Sequence, residues 1–165
     1  MSAYTLAGWE NFFVATAGAA AALSGLLFVA LSINLQRILS IPGLAARAGE
    51  TFIPLGTSLV VSLVALVPGA DPRHIALHLL LYGLVSWAAV TVIEARAVRS
   101  RQFIKWQHLI LRLAFGQPST LCVALAGLFL RMDRFGGLYW IVPAVLFTFY
   151  GALVNSWILL VEILR

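Results

Sequence analysis

Side chains that could do chemistry are few in this chain, and their spacing limits what each could do. His74 and His78 are one helical turn apart, so both imidazoles can face one way, as paired zinc ligands on a helix do. Asp71 is adjacent, and Asp133 reaches the same end of the molecule if the chain crosses a membrane five times. Zinc needs three or four converging ligands and this spacing supplies two, so interfacial histidines at a helix start are expected instead. Arg112 could pair with Glu94 or Glu162, all three lying towards the ends of apolar segments. An arginine left unpaired in hydrocarbon costs at least about 2.5 kcal/mol unless it reaches the headgroups. The pair is expected to clamp helices together; a proton relay would need such groups in both halves of the bilayer. Bis-histidine haem is not expected either, because His78 and His108 would fall in opposite leaflets. Cys122 is the only cysteine, which excludes an intrachain disulfide and C-x-x-C redox chemistry.

Nucleophilic catalysis finds no complete set of partners. Ala22-Leu23-Ser24-Gly25 resembles the G-x-S-G of the rhomboid proteases with its first glycine replaced. That resemblance implies a histidine base in a later helix, and the last apolar segment contains none. A hydroxyl in such a setting bonds back to its own helix. H-E-x-x-H, a Gly-rich phosphate loop and paired catalytic carboxylates are all missing from the sequence. No catalytic residue, metal or cofactor is expected, and the protein reads as a non-enzyme.

The elements that would hold these residues are set by composition. Hydrophobic residues make up 62% of the 165 positions and charged residues 10%, against roughly 45–50% and 25% in soluble domains. Residues 11–36, 51–70, 74–93, 113–130 and 135–161 contain no Lys, Arg, Asp or Glu. A water-soluble fold of this size could not hide that surface, so soluble enzymes, disordered chains and disulfide scaffolds are excluded. The net charge of +5 sits between the apolar windows. This suits anionic lipid headgroups rather than nucleic acid. The opening MSAYTLAGWE has no basic n-region and the apolar stretch after it is long, so a cleavable signal peptide is not expected.

About 20 helical residues cross a bilayer core. The sequence predicts an all-α, polytopic integral membrane protein: a single transmembrane domain over 1–165 with helices at 12–35, 52–67, 74–93, 107–130 and 138–160. Pro54 is read as lying near the start of the second helix, and Pro68-Gly69 ends it. Asp71 can cap the third and Pro72 can take its first position; Pro143 could kink the last. The alternative has four crossings, because Arg101, Lys105, His108 and Arg112 share one helical face and Gly116-Gln117-Pro118 interrupts. Residues 101–130 would then be an interfacial helix with a re-entrant piece. Both arrangements place the N-terminus outside and the 36–50 and 94–105 loops in the cytoplasm. The 36–50 stretch reads as an aqueous linker. A bacterial inner membrane is the expected location. Under five crossings Trp9, Tyr139 and Trp140 mark the outer interface, and Trp106 and Trp157 the inner one.

The first helix has the clearest pattern. Asn11, Ala15, Gly18, Ala22, Gly25, Val29, Ser32 and Gln36 recur at alternating spacings of four and three, a seam of mostly small residues. Lipid provides no hydrophobic drive for helices to associate, so close approach of small faces must supply it. Packing within or between protomers is the expected role, which makes the bilayer and a second copy or another membrane protein the expected partners. A second possibility is an oligomeric channel or transporter-like pore, with Ser32, Asn34 and Gln36 at its cytoplasmic mouth. The run ALSGLLFVAL resembles the pore helix of the Orai calcium channels over ten residues, with Ile33 about where that family carries its selectivity glutamate. Calcium selectivity is accordingly not expected.

Overall fold

The chain was analysed as a computed structural model, which describes residues 3–41, 43–99 and 106–164, apart from the side chains of 106–109, 111, 112 and 158–164. Every regular element among the described residues is helical: α1 Glu10–Ile33, α2 Leu35–Ser40, α3 Leu44–Ala65, α4 Pro72–Arg99, α5 Trp106–Met132 and α6 Ile141–Leu164, with a 3-10 turn Gly137–Trp140 ahead of α6. Five of these helices are long and apolar enough to cross a membrane, and α2 is a short connector.

Local chemistry explains the boundaries. Asp71 accepts the amide of Arg73 at 2.8 Å, so α4 opens as the Asp-Pro pair predicts. Gly43 precedes α3 with φ 86°, a left-handed conformation that glycine adopts without strain. The α5–α6 corner is tighter. Asp133 and Phe135 both have positive φ, and Gly136 and Gly137 follow with φ 85° and 42°. The N-terminal residues pin that corner: the Leu138 amide donates to Ala3 at 2.9 Å, and the Gly136 amide to the Tyr4 hydroxyl at 3.3 Å. A side chain at Gly137 would collide with the Ala3 carbonyl and approach the Tyr4 ring at 2.9 Å.

Packing decides the number and direction of the helices. Trp9 stacks edge-on against Tyr139 with ring centroids 5.2 Å apart, so α1 and α6 start at the same end and run parallel. Five alternating helices require that; four would bring the last one in from the opposite end. The region expected to break at Gly116-Gln117-Pro118 is one continuous 27-residue helix. The amide missing at Pro118 removes one backbone bond, and the hydroxyl of Ser119 donates to the Gly116 carbonyl at 2.8 Å nearby.

Three features differ from expectation, the first being that α4 runs on to Arg99 instead of ending at 93, so 94–99 is helix rather than loop. The second long helix, α3, begins at Leu44 rather than 52, so Pro54 lies inside it and Arg47 and Glu50 are helical, buried residues instead of part of an aqueous linker. Hydropathy windows penalise charge wherever it points, whereas these two face the bundle interior. Pro143 lies in the first turn of α6, where a missing amide costs no helical hydrogen bond.

α3 is central and touches each of the other four long helices. The core has two apolar parts. One surrounds Phe13, Ile75, Leu79, Leu138 and Ile141 at the Trp9 end; the other holds Leu27, Ile38, Leu44, Leu55 and Ala152 at the opposite end.

Candidate functional site

The closest helix contact lies between α4 and α5 and is made by small residues. A Cβ on Gly127 would overlap the Leu80 amide and come within 2.7 Å of the Ala76 carbonyl; one on Gly83 would reach 2.6 Å from the Ala124 Cα. Glycine is required here because backbone meets backbone. The sequence did not single these positions out, since each helix presents only part of the pattern. The signal is Ala76 and Gly83 on one helix facing Ala124 and Gly127 on the other.

Beyond this crossing the interior becomes polar. Gln117 donates to the Glu94 carboxylate and to the Thr91 hydroxyl at 3.2 Å, while Thr91 also donates to the Trp87 carbonyl at 2.7 Å. The other Glu94 oxygen lies 3.1 Å from where a side chain on Gly116 would begin, so that glycine leaves room for the carboxylate. Thr57 and Ser86 share a hydrogen bond at 2.5 Å between α3 and α4. Arg47 and Glu50 are both 6% exposed, and Glu94 is 4% exposed. A cavity of about 20 Å³, large enough for one water, lies against Glu50, Gly116, Ser119, Thr148 and Asn155. The hydroxyls of Thr51, Ser119 and Thr148 donate to carbonyls of their own helices. Their lone pairs remain to accept. Chemically, the cluster can hold buried charge and tie α3, α4 and α5 in one register; it presents no nucleophile–base pair.

Glu94 is interior. It accepts a hydrogen bond from Gln117, a residue that charge patterning does not mark because an amide is neutral. The side chains of Arg112 and Glu162 lie outside the described residues.

The seam on α1 points the other way. The helix packs on its neighbours through Phe13, Thr16, Ala20 and Leu27. Asn11, Ala15, Gly18, Ala22, Gly25, Val29 and Ser32 are all exposed on the opposite side, and Gln36, which the structure places on α2, is exposed as well. Nothing in the chain lies within 4 Å of a side chain built at Gly18 or Gly25. The seam is therefore not a contact inside the protomer, and the close approach expected of it belongs to Gly83 and Gly127. Ser32 and Asn34, the candidate mouth of a pore, donate to the carbonyls of Phe28 at 2.8 Å and Ala30 at 3.0 Å. The Ser32 hydroxyl and one of the two Asn34 amide hydrogens are thus used on their own helix.

His74 and His78 are exposed at the start of α4, and His78 Nδ1 lies 2.7 Å from the His74 carbonyl. Among the described residues no three His, Cys, Asp or Glu side chains converge as metal ligands. Trp9, expected at an interface, is buried among Phe12, Phe13 and Tyr139.

No family model, curated protein or solved structure matches this chain. The functional reading accordingly rests on the geometry.

Proposed function

We propose that the protein is a small, non-enzymatic integral membrane protein that works by helix–helix association through the outward face of α1, as an accessory or assembly subunit or as a homo-oligomer. One observation carries the reading: a full-length stripe of small side chains is bare on the protomer while the opposite side of the same helix makes the internal packing. In lipid such a stripe lets another helix approach closely, and van der Waals contact then supplies the association. Gln36, Arg37, Arg96 and Arg99 mark the end of the bundle that we assign to the cytoplasm, with the N-terminus outside, in a bacterial inner membrane. A pore lined by α1 has less support, since Ser32 and Asn34 both bond back to carbonyls of their own helix.

The exposed glycines make the test direct. Replacing both Gly18 and Gly25 by Leu is expected to leave the protomer's unfolding temperature in detergent unchanged, because nothing within the chain is displaced. The same change should abolish self-association or partner capture, read by light scattering and by pull-down. If both remain at wild-type levels, the face is not an interface.

A further inference from the structure

Where α1 and α6 separate, they leave a groove of about 420 Å³. It lies within the range of small-molecule sites, about 300–1,000 Å³. Its floor is Leu55 of α3 with Leu27 and Ala152, and its walls are leucines and alanines. At the other end of the same two helices Trp9 and Phe13 pack with Leu138 and Ile141, so the helices are in contact there.

Its length identifies what fits. On α1 the lining runs from Leu23 to Asn34, about 16 Å at the helical rise of about 1.5 Å per residue. That is half of a hydrocarbon core about 30 Å thick. A partner's transmembrane helix would need the full thickness. One acyl chain from one leaflet needs only this half. The groove is apolar along its length and polar at its open end, where Asn34 and Ser156 line it beside Trp157. Trp157 is 67% exposed, a ring placed as interfacial tryptophans are. Arg37, exposed on α2 a few residues beyond Asn34, supplies positive charge at that end.

We infer that this groove is a binding site for one acyl chain of an anionic phospholipid, its headgroup held at the Asn34–Ser156 end by Arg37. A negative headgroup gains from a nearby basic side chain at the membrane surface. The walls can hold a chain in place because α1, α3 and α6 enclose it on three sides. The inference stands apart from the association proposed for the opposite side of α1.

Native mass spectrometry of protein extracted from vesicles of phosphatidylethanolamine and phosphatidylglycerol tests it. The expected spectrum carries one phosphatidylglycerol per chain. Ala30 and Leu153 are exposed on the groove walls, so Ala30→Trp and Leu153→Trp fill it without entering the core. Each should weaken lipid retention at least about tenfold, equal to about 1.4 kcal/mol, with unchanged unfolding temperature. Arg37→Glu should remove the preference for phosphatidylglycerol over phosphatidylethanolamine. Equal lipid retention by wild type and both tryptophan variants overturns the site, as does cross-linking of a cysteine at position 30 to a second chain. An unchanged headgroup preference in Arg37→Glu overturns the assignment to anionic lipid. The same spectra report oligomeric state, so a failure here is distinguishable from a failure of the α1 interface.

Discussion

The α4–α5 crossing and the outer face of α1 are built from the same residue types and do opposite things. At the crossing, Gly83 and Gly127 are filled against the neighbouring backbone; on α1, Gly18 and Gly25 look onto open space. Small residues permit close approach but do not create it. A partner helix has to be present, and α4 has one in α5, whereas among the described residues the far side of α1 has none. Glycine content alone therefore says where two helices could touch, while the bundle's topology says whether both belong to one chain.

The sharpest way to break this contrast is to enlarge both regions. Gly127→Leu should leave no folded protein, and Gly127→Ala should cost about 1–3 kcal/mol or more, since overpacking against main chain cannot relax through a rotamer. Unfolding in mixed detergent measures it. A wild-type stability for Gly127→Ala would mean that the crossing is looser than described.

A smaller effect tests whether the polar interior registers the same helices. Gln117→Leu removes the donor facing Glu94 and Thr91 and should cost about 1–3 kcal/mol, the range for losing one hydrogen-bond partner of a buried polar group. Glu94→Gln in the same background should recover part of the loss by removing the buried charge. Smaller again is the bond between Thr57 and Ser86. A double-mutant cycle with Thr57→Val and Ser86→Ala should give a coupling of about 0.6 kcal/mol, the average for hydrogen bonds between membrane helices. A coupling of zero would separate α3 from the α4–α5 pair.

The least change in stability belongs to α1. Gly18→Ala and Gly25→Ala should each lie within about 0.5 kcal/mol of wild type, as for substitutions away from packed features. If either destabilises the isolated protomer as Gly127→Ala does, the two regions are not different in kind.

Much of this architecture was legible in the residues. The charge-free windows mark the five helices long and apolar enough to cross a membrane, and Asp71-Pro72 marks the start of α4. Sequence reading failed where a polar residue's direction mattered. Arg47 and Glu50 look like linker charges until α3 is seen to turn them inward, and Gln117 looks like a helix interruption until it meets Glu94. The seam on α1 was visible as a period, but its side was not, because a stripe of small residues reads the same whether it faces a neighbour in the chain or lipid.

Taken alone, the order of residues determined that this chain forms long apolar helices, five of them fit by length and composition to cross a membrane, because so little of it can face water. Only the tertiary structure decided that α1 and α6 run parallel, that the glycines of α4 and α5 are the ones pressed together, and that three charged groups sit inside. Those outcomes depend on which helix faces meet across tens of residues, and helical periodicity records a face without recording what stands opposite it.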